Sequence, residues 1–155
     1  MIFGQIIPTD KHDFKNIREA RVWAKENIVG SYKNEMTNET VYVSKIAIDK
    51  YLSESAVRKS ANLDIHLSAL KVLPKLIQTS ILKETQHDRD NNKDIKEIQR
   101  FYGAIDYASM TYAVKITVKV YPTGINNAYS YEVLKIECPI TTSELSGHSF
   151  QSELF

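Results

Sequence analysis

Hydrophobic and polar positions alternate without a break from Tyr112 to Tyr121. Tyr112, Val114, Ile116, Val118 and Val120 fall on one parity; Ala113, Lys115, Thr117, Lys119 and Tyr121 fall on the other. Successive strand side chains point to opposite faces, so this segment is a strand with one apolar face and one Lys-Thr-Lys face. The runs Ile98–Ile105 and Tyr129–Glu137 flank it, with turns at Asp106–Met110 and Pro122–Ala128. Three β-rich runs at short spacing predict an antiparallel meander. Ile81–Thr85 and Thr40–Val43 are shorter strand candidates.

Helical spacing governs most of the first half. Phe14, Ile17, Ala20, Ala24 and Ile28 predict a helix after an Asp13 cap, closed by Gly30. Ser44 caps a second helix, whose Ile48, Tyr51 and Leu52 share a face. A third starts at Asn62 or Asp64 and carries the stripe Leu63, Leu67, Leu70, Leu73 and Ile77. Pro74 interrupts that stripe. An interior proline costs about 3 kcal/mol or more in a regular helix, so a kink or a new start is expected there. Residues 1–10 read as an edge strand or a tail, and residues 31–39 as a polar turn. Helices first and a hairpin-connected sheet second is an α+β order, with helices packed on one face of an antiparallel sheet.

Composition narrows the function. Twenty Lys+Arg stand against nineteen Asp+Glu, so no global basic field points to nucleic acid and any anion recognition is local. One cysteine, Cys138, excludes an internal disulfide framework. The four histidines are scattered at 12, 66, 87 and 148 without metal-ligand spacing. With five glycines there is no phosphate-cradling loop motif. No cofactor or metal is expected. No apolar run reaches membrane-spanning length and no signal peptide is read, so a cytoplasmic setting without membrane contact is the expectation.

What remains is a metal-free set. Cleaving a phosphodiester without metal takes a base, an acid and fixed cations around the phosphorus. Histidine suits the proton transfers near neutrality; arginine and lysine suit the cations. His87 with Arg89 in the polar loop Gln86–Asp94, Arg100 and Tyr102 on the preceding strand, Lys115, Thr117 and Lys119 on the alternating strand, and His66 on the third helix are the candidates. The plainer reading stands beside each: His66 as a packing or capping residue, Lys115 and Lys119 as a solvated strand face, and the tyrosines as half-buried strand formers.

Taken in order, SKIAIDKYLSESAVRKS (44–60), HLSALKVLPKLI (66–77), LKETQHDRDN (82–91), IKEIQRFYGAI (95–105), YAVKITVKVY (112–121) and YSYEVLKIE (129–137) resemble the barnase–EndoU–colicin–RelE-like nuclease domains found inside large polyvalent proteins of phages and mobile elements. The resemblance implies N-terminal helices on an antiparallel sheet of about four strands. It also implies a metal-independent, toxin-like ribonuclease. His87, Arg100, Lys115, Thr117 and His66 would be catalytic, and Lys119, Tyr102 and Arg89 would bind substrate. RNA, tRNA among its forms, would be the partner, with an immunity or carrier protein beside it. Residues 1–43 would be a helical extension, 44–139 the nuclease domain and 140–155 a flexible tail. The alternative is a non-catalytic nucleic-acid- or protein-binding module of a larger protein.

Overall fold

The computed structural model describes residues 4–87, 95 and 97–135. Most of the Gln86–Asp94 loop, Arg89, Cys138, His148 and the segment 140–155 lie outside these residues. Along the chain run β1 (Ile6–Pro8), α1 (Ile17–Asn27), β2 (Gly30–Lys33), β3 (Thr40–Val43), α2 (Lys45–Tyr51), α3 (Glu54–Lys59), α4 (Leu63–Lys71), α5 (Leu73–Thr79), β4 (Ile81–Gln86), β5 (Glu97–Tyr107), β6 (Met110–Val120) and β7 (Asn126–Lys135).

The sheet corrects the expected architecture. It has seven strands in the order β1-β5-β6-β7-β3-β2, with β4 also paired to β5, and it is mixed. β4, β5, β6 and β7 are antiparallel neighbours. β1 joins β5 in parallel, and the β2–β3 hairpin joins β7 in parallel through β3. The four-stranded antiparallel sheet of a barnase-like domain is therefore not the fold. The physical reason lies in residues 6–43, whose strands are three to four residues long. Segments that short carry almost no periodicity, and they gain their pairing from the long central strands. The result is a curled half-barrel with five helices.

Local signals explain the helices. Asn16, rather than Asp13, caps α1, its Oδ1 accepting from Glu19 N at 2.8 Å. Ser44 caps α2, Ser53 caps α3 and Asn62 caps α4, each accepting from the backbone N–H three residues on. At Pro74 the chain restarts as α5, with the proline in its first turn, where its missing N–H is harmless.

Helix stripes and one sheet face meet in a single core. Ala20, Ile48, Tyr51, Leu67, Leu70, Leu73 and Leu76 pack against Phe101, Ile105, Val114, Ile116, Tyr131 and Val133. Gly103 lets α5 approach: a Cβ there would lie 3.1 Å from Leu76 Cδ2. At the β2–β3 turn, buried Asn34 donates to Ile77 O and Ser80 O and accepts from Met36 N and Thr37 N, tying the turn to the end of α5.

Candidate functional site

Sheet parity sorts the candidate residues. Arg100, Tyr102, Lys115, Thr117 and Lys119 alternate with core residues of β5 and β6, so they stand on the face turned away from the helices. Register sets them in rows across the sheet. One row runs Glu84, Arg100, Thr117, Ser130; the next runs Ile81, Tyr102, Lys115, Glu132; a third runs Gln86, Ile98, Lys119, Asn127.

Acids occupy the same rows. Arg100 Nη1 lies 3.5 Å from Glu84 Oε2, and Lys115 Nζ lies 3.5 Å from Glu132 Oε2. The Tyr102 hydroxyl donates to Glu84 Oε1 at 3.3 Å. Burial, with the Glu84 carboxylate beside it, pushes the Tyr102 phenol up from its ordinary value. The face is thus a ladder of neighbouring opposite charges, the arrangement that stabilises cross-strand pairs.

His66 lies on the other side of the sheet. It is fully buried in α4, its ring stacked on Tyr131 with centroids 4.4 Å apart. The Tyr51 carbonyl can only accept, so the Nε2–H donates to it, at 2.6 Å. That fixes Nδ1 as the acceptor for the Ser60 hydroxyl, also at 2.6 Å. Ser60 Oγ in turn accepts from Val133 N, and the Tyr131 hydroxyl donates to His66 O. Burial pulls the imidazole below its ordinary value, against the opposing pull of its bond to Tyr51. His66 is a neutral packing residue with both ring nitrogens engaged, and no substrate reaches it.

His87 is exposed, one residue past the last pair of β4. Lys115 sits in the row of Ile81, six residues back along that strand. Because β4 carries an extra residue between Leu82 and Glu84, the two rows are five residues apart on β5, about 17 Å at about 3.4 Å per residue. Glu84, the partner of Arg100, is about 10 Å from His87 along the strand. His66 is thus divided from the cations by the sheet, whereas His87 lies one residue past the row of Lys119.

A different cationic group does form. Tyr129 sits at the register shift between the pairs Thr117–Ser130 and Val118–Ala128, an extra residue in β7. Its ring takes two ammonium groups, Lys119 Nζ at 3.7 Å and Lys50 Nζ at 4.2 Å from the centroid. Two concavities meet at this ring. One, of about 170 Å³, adds Ser53, Ser55, Lys59 and Glu132; the other, of about 270 Å³, adds Ser44, Tyr121 and Asn127. Among the described residues, neither Lys50 nor Lys119 has a carboxylate partner. The alternation of β6 pointed to Lys119, but Lys50 comes from α2 and no sequence spacing links the two.

Among the described residues no group of three or more His, Cys, Asp or Glu is placed to hold a metal ion. No helix there is long and apolar enough to cross a membrane. Compared with known proteins, residues 12–129 match the model of the family described as large polyvalent protein-associated domain 3. No curated protein and no solved structure matches the chain.

Proposed function

The chain belongs to the large polyvalent protein-associated domain 3 family, and from that footing we propose that it is a non-catalytic RNA-binding module of a larger protein. The rim around Tyr129 would hold the phosphate backbone. The observation that carries this reading is the pair of ammonium groups on one tyrosine ring, Lys50 and Lys119, with Lys59 lining the adjoining concavity. A phosphate meeting these ammonium groups displaces no carboxylate, and phosphate oxygens accept strongly from ammonium donors. The hydroxyls of Ser53, Ser55 and Ser130 line the same surface and offer further donors.

A ribonuclease reading asks more of the molecule. It needs a base and an acid beside the fixed cations. Arg100 and Lys115 already face Glu84 and Glu132, and His66 is enclosed among the helices. Binding without turnover requires none of those groups to converge.

The test uses the full chain and a fluorescent single-stranded RNA in EDTA. Saturable binding is expected, with log affinity falling linearly as log salt rises. Lys50→Ala and Lys119→Ala should each weaken binding across RNA sequences, and each lost phosphate contact should shallow the salt slope by about 0.7. Intact RNA at the end of the titration completes the expected result. The reading fails if RNA does not bind at low salt, or if the double variant binds as the wild type does. Cleavage that His87→Ala abolishes would replace it with an enzyme.

A further inference from the structure

Near the Tyr129 rim, with Tyr121 lining both, lies a cavity of opposite character. It has a volume of about 420 Å³ and opens where β5 begins, β6 ends, and β3 and β7 begin. Glu39, Thr40, Glu97, Gln99, Val120 and Asn126 line it, together with the β6–β7 turn, and no described helix residue does. The register places Glu97, Val120 and Asn126 in one row, with Gln99 in the row beside them opposite Val118, a core residue. These side chains therefore continue the helix-facing side of the sheet past the last helix.

The hydrogen bonds turn the cavity's amide groups toward its acids. Asn126 Nδ2 donates to Glu39 Oε2 at 2.7 Å, and Gln99 Nε2 donates to Glu97 Oε2 at 3.3 Å. Both amide groups are oriented by a carboxylate, so one N–H of each faces an acid. Gln99 is only 7 % exposed, and its Oε1 is buried without a hydrogen-bond partner. A buried amide oxygen left unpaired costs about 1–3 kcal/mol, so something with donors fits this place. The second oxygens of Glu39 and Glu97 add negative charge beside it.

We propose that this cavity binds a guanidinium group. Its planar fork carries five N–H donors and no acceptor, which suits two carboxylates and an orphaned amide oxygen. The space exceeds what a bare metal ion fills. The described acids also number two here, and no metal-holding group of three is present among the described residues. The group could arrive on a small cation or on an arginine of a polypeptide; the chemistry recognised is the same.

Calorimetric titration of the full chain with agmatine, and separately with the peptide acetyl-Gly-Arg-Gly-amide, tests the assignment. Saturable binding of either is expected, and the tighter of the two identifies the source. Glu97→Gln and Glu39→Gln should each weaken it about tenfold or more, the loss of one charge-assisted bond, with an unchanged circular dichroism spectrum. In the wild-type NMR spectrum the Gln99 side-chain amide and the Thr40 and Gly124 backbone amides should shift during the titration. Absence of saturable binding, equal affinity in both variants, or shifts scattered away from these residues would overturn the proposal. Calcium binding that Glu97→Gln abolishes, with no agmatine binding, would overturn it in favour of a metal site.

Discussion

The two faces of the central strands hold similar residue types under opposite rules. On the helix side, His66, Asn34 and Tyr131 are each less than 1 % exposed. On the far side, Arg100, Lys115, Glu84 and Glu132 pair at 3.5 Å with side chains 22 to 52 % exposed. A polar group of the first kind has no water to fall back on, so removing its partner leaves an uncompensated desolvation cost. A group of the second kind exchanges its partner for water at little loss. Reading His66 and Lys115 as members of one reactive set joins residues that the sheet itself divides.

The sharpest way to break this contrast is His66→Ala. It removes a stacked ring and strands the Tyr51 carbonyl and the Ser60 hydroxyl in the core. A loss of about 3–5 kcal/mol is expected from the cavity and the unpaired groups together, read as a lower midpoint in urea unfolding. The same site gives a pH signature. Because burial lowers the folded-state value, the unfolded chain takes up the proton first as pH falls. This contribution to stability is therefore complete above the unfolded value of about 6.5 and drains away as pH falls below it toward the folded value. His66→Gln should flatten the unfolding midpoint between pH 7.5 and 5.5. A wild-type midpoint that does not fall over that window would contradict the neutral, enclosed ring.

Asn34→Ala should come next, at about 2–4 kcal/mol. The change leaves Ile77 O and Ser80 O without their amide donor, and Met36 N and Thr37 N without their acceptor. Hydrogen exchange checks the mechanism: protection should fall first at the β2–β3 turn and the last turn of α5, while β6 keeps its protection. Uniform loss across β5 and β6 would mean that the turn and the sheet unfold as one.

How much of this could be read from the chain depends on the range of the interaction responsible. Ser44 and Asn62 as caps, the restart at Pro74 and the two faces of β6 are local, set within a few residues, and they stand as the sequence indicates. The α1 cap is Asn16 rather than Asp13, whose carboxylate meets Lys71 on α4 at 3.2 Å. The parallel additions of β1 and β3 depend on partners scores of residues away and on segments too short to show a period. The Tyr129 rim fails for a related reason. An extra residue in β7 shifts the alternation at that point, and the packing of α2 on β7 brings Lys50 to Lys119. Arg100 and Lys115 were legible as residents of a polar face, but their acids were not, because Glu84 and Glu132 meet them only through register.

The smallest expected effect is the one that defines the far face. Lys115→Met and Glu132→Gln should each change stability by less than about 1 kcal/mol, and the double variant should show little coupling. High salt should erase what coupling there is, since about 1 M salt shortens the screening length to about 3 Å. The two rows also allow an internal comparison. The Arg100–Glu84 pair adds a bond from the Tyr102 hydroxyl to the same carboxylate, whereas Lys115–Glu132 is a single contact. Glu84→Gln should therefore cost more than Glu132→Gln, by a few tenths of a kcal/mol to about 1 kcal/mol. Thermal unfolding of both variants at low and high salt decides it. If Glu132→Gln is the costlier change, or if either loss matches that of Asn34→Ala, then the far face is held by its polar groups as the helix side is, and the division between the faces fails.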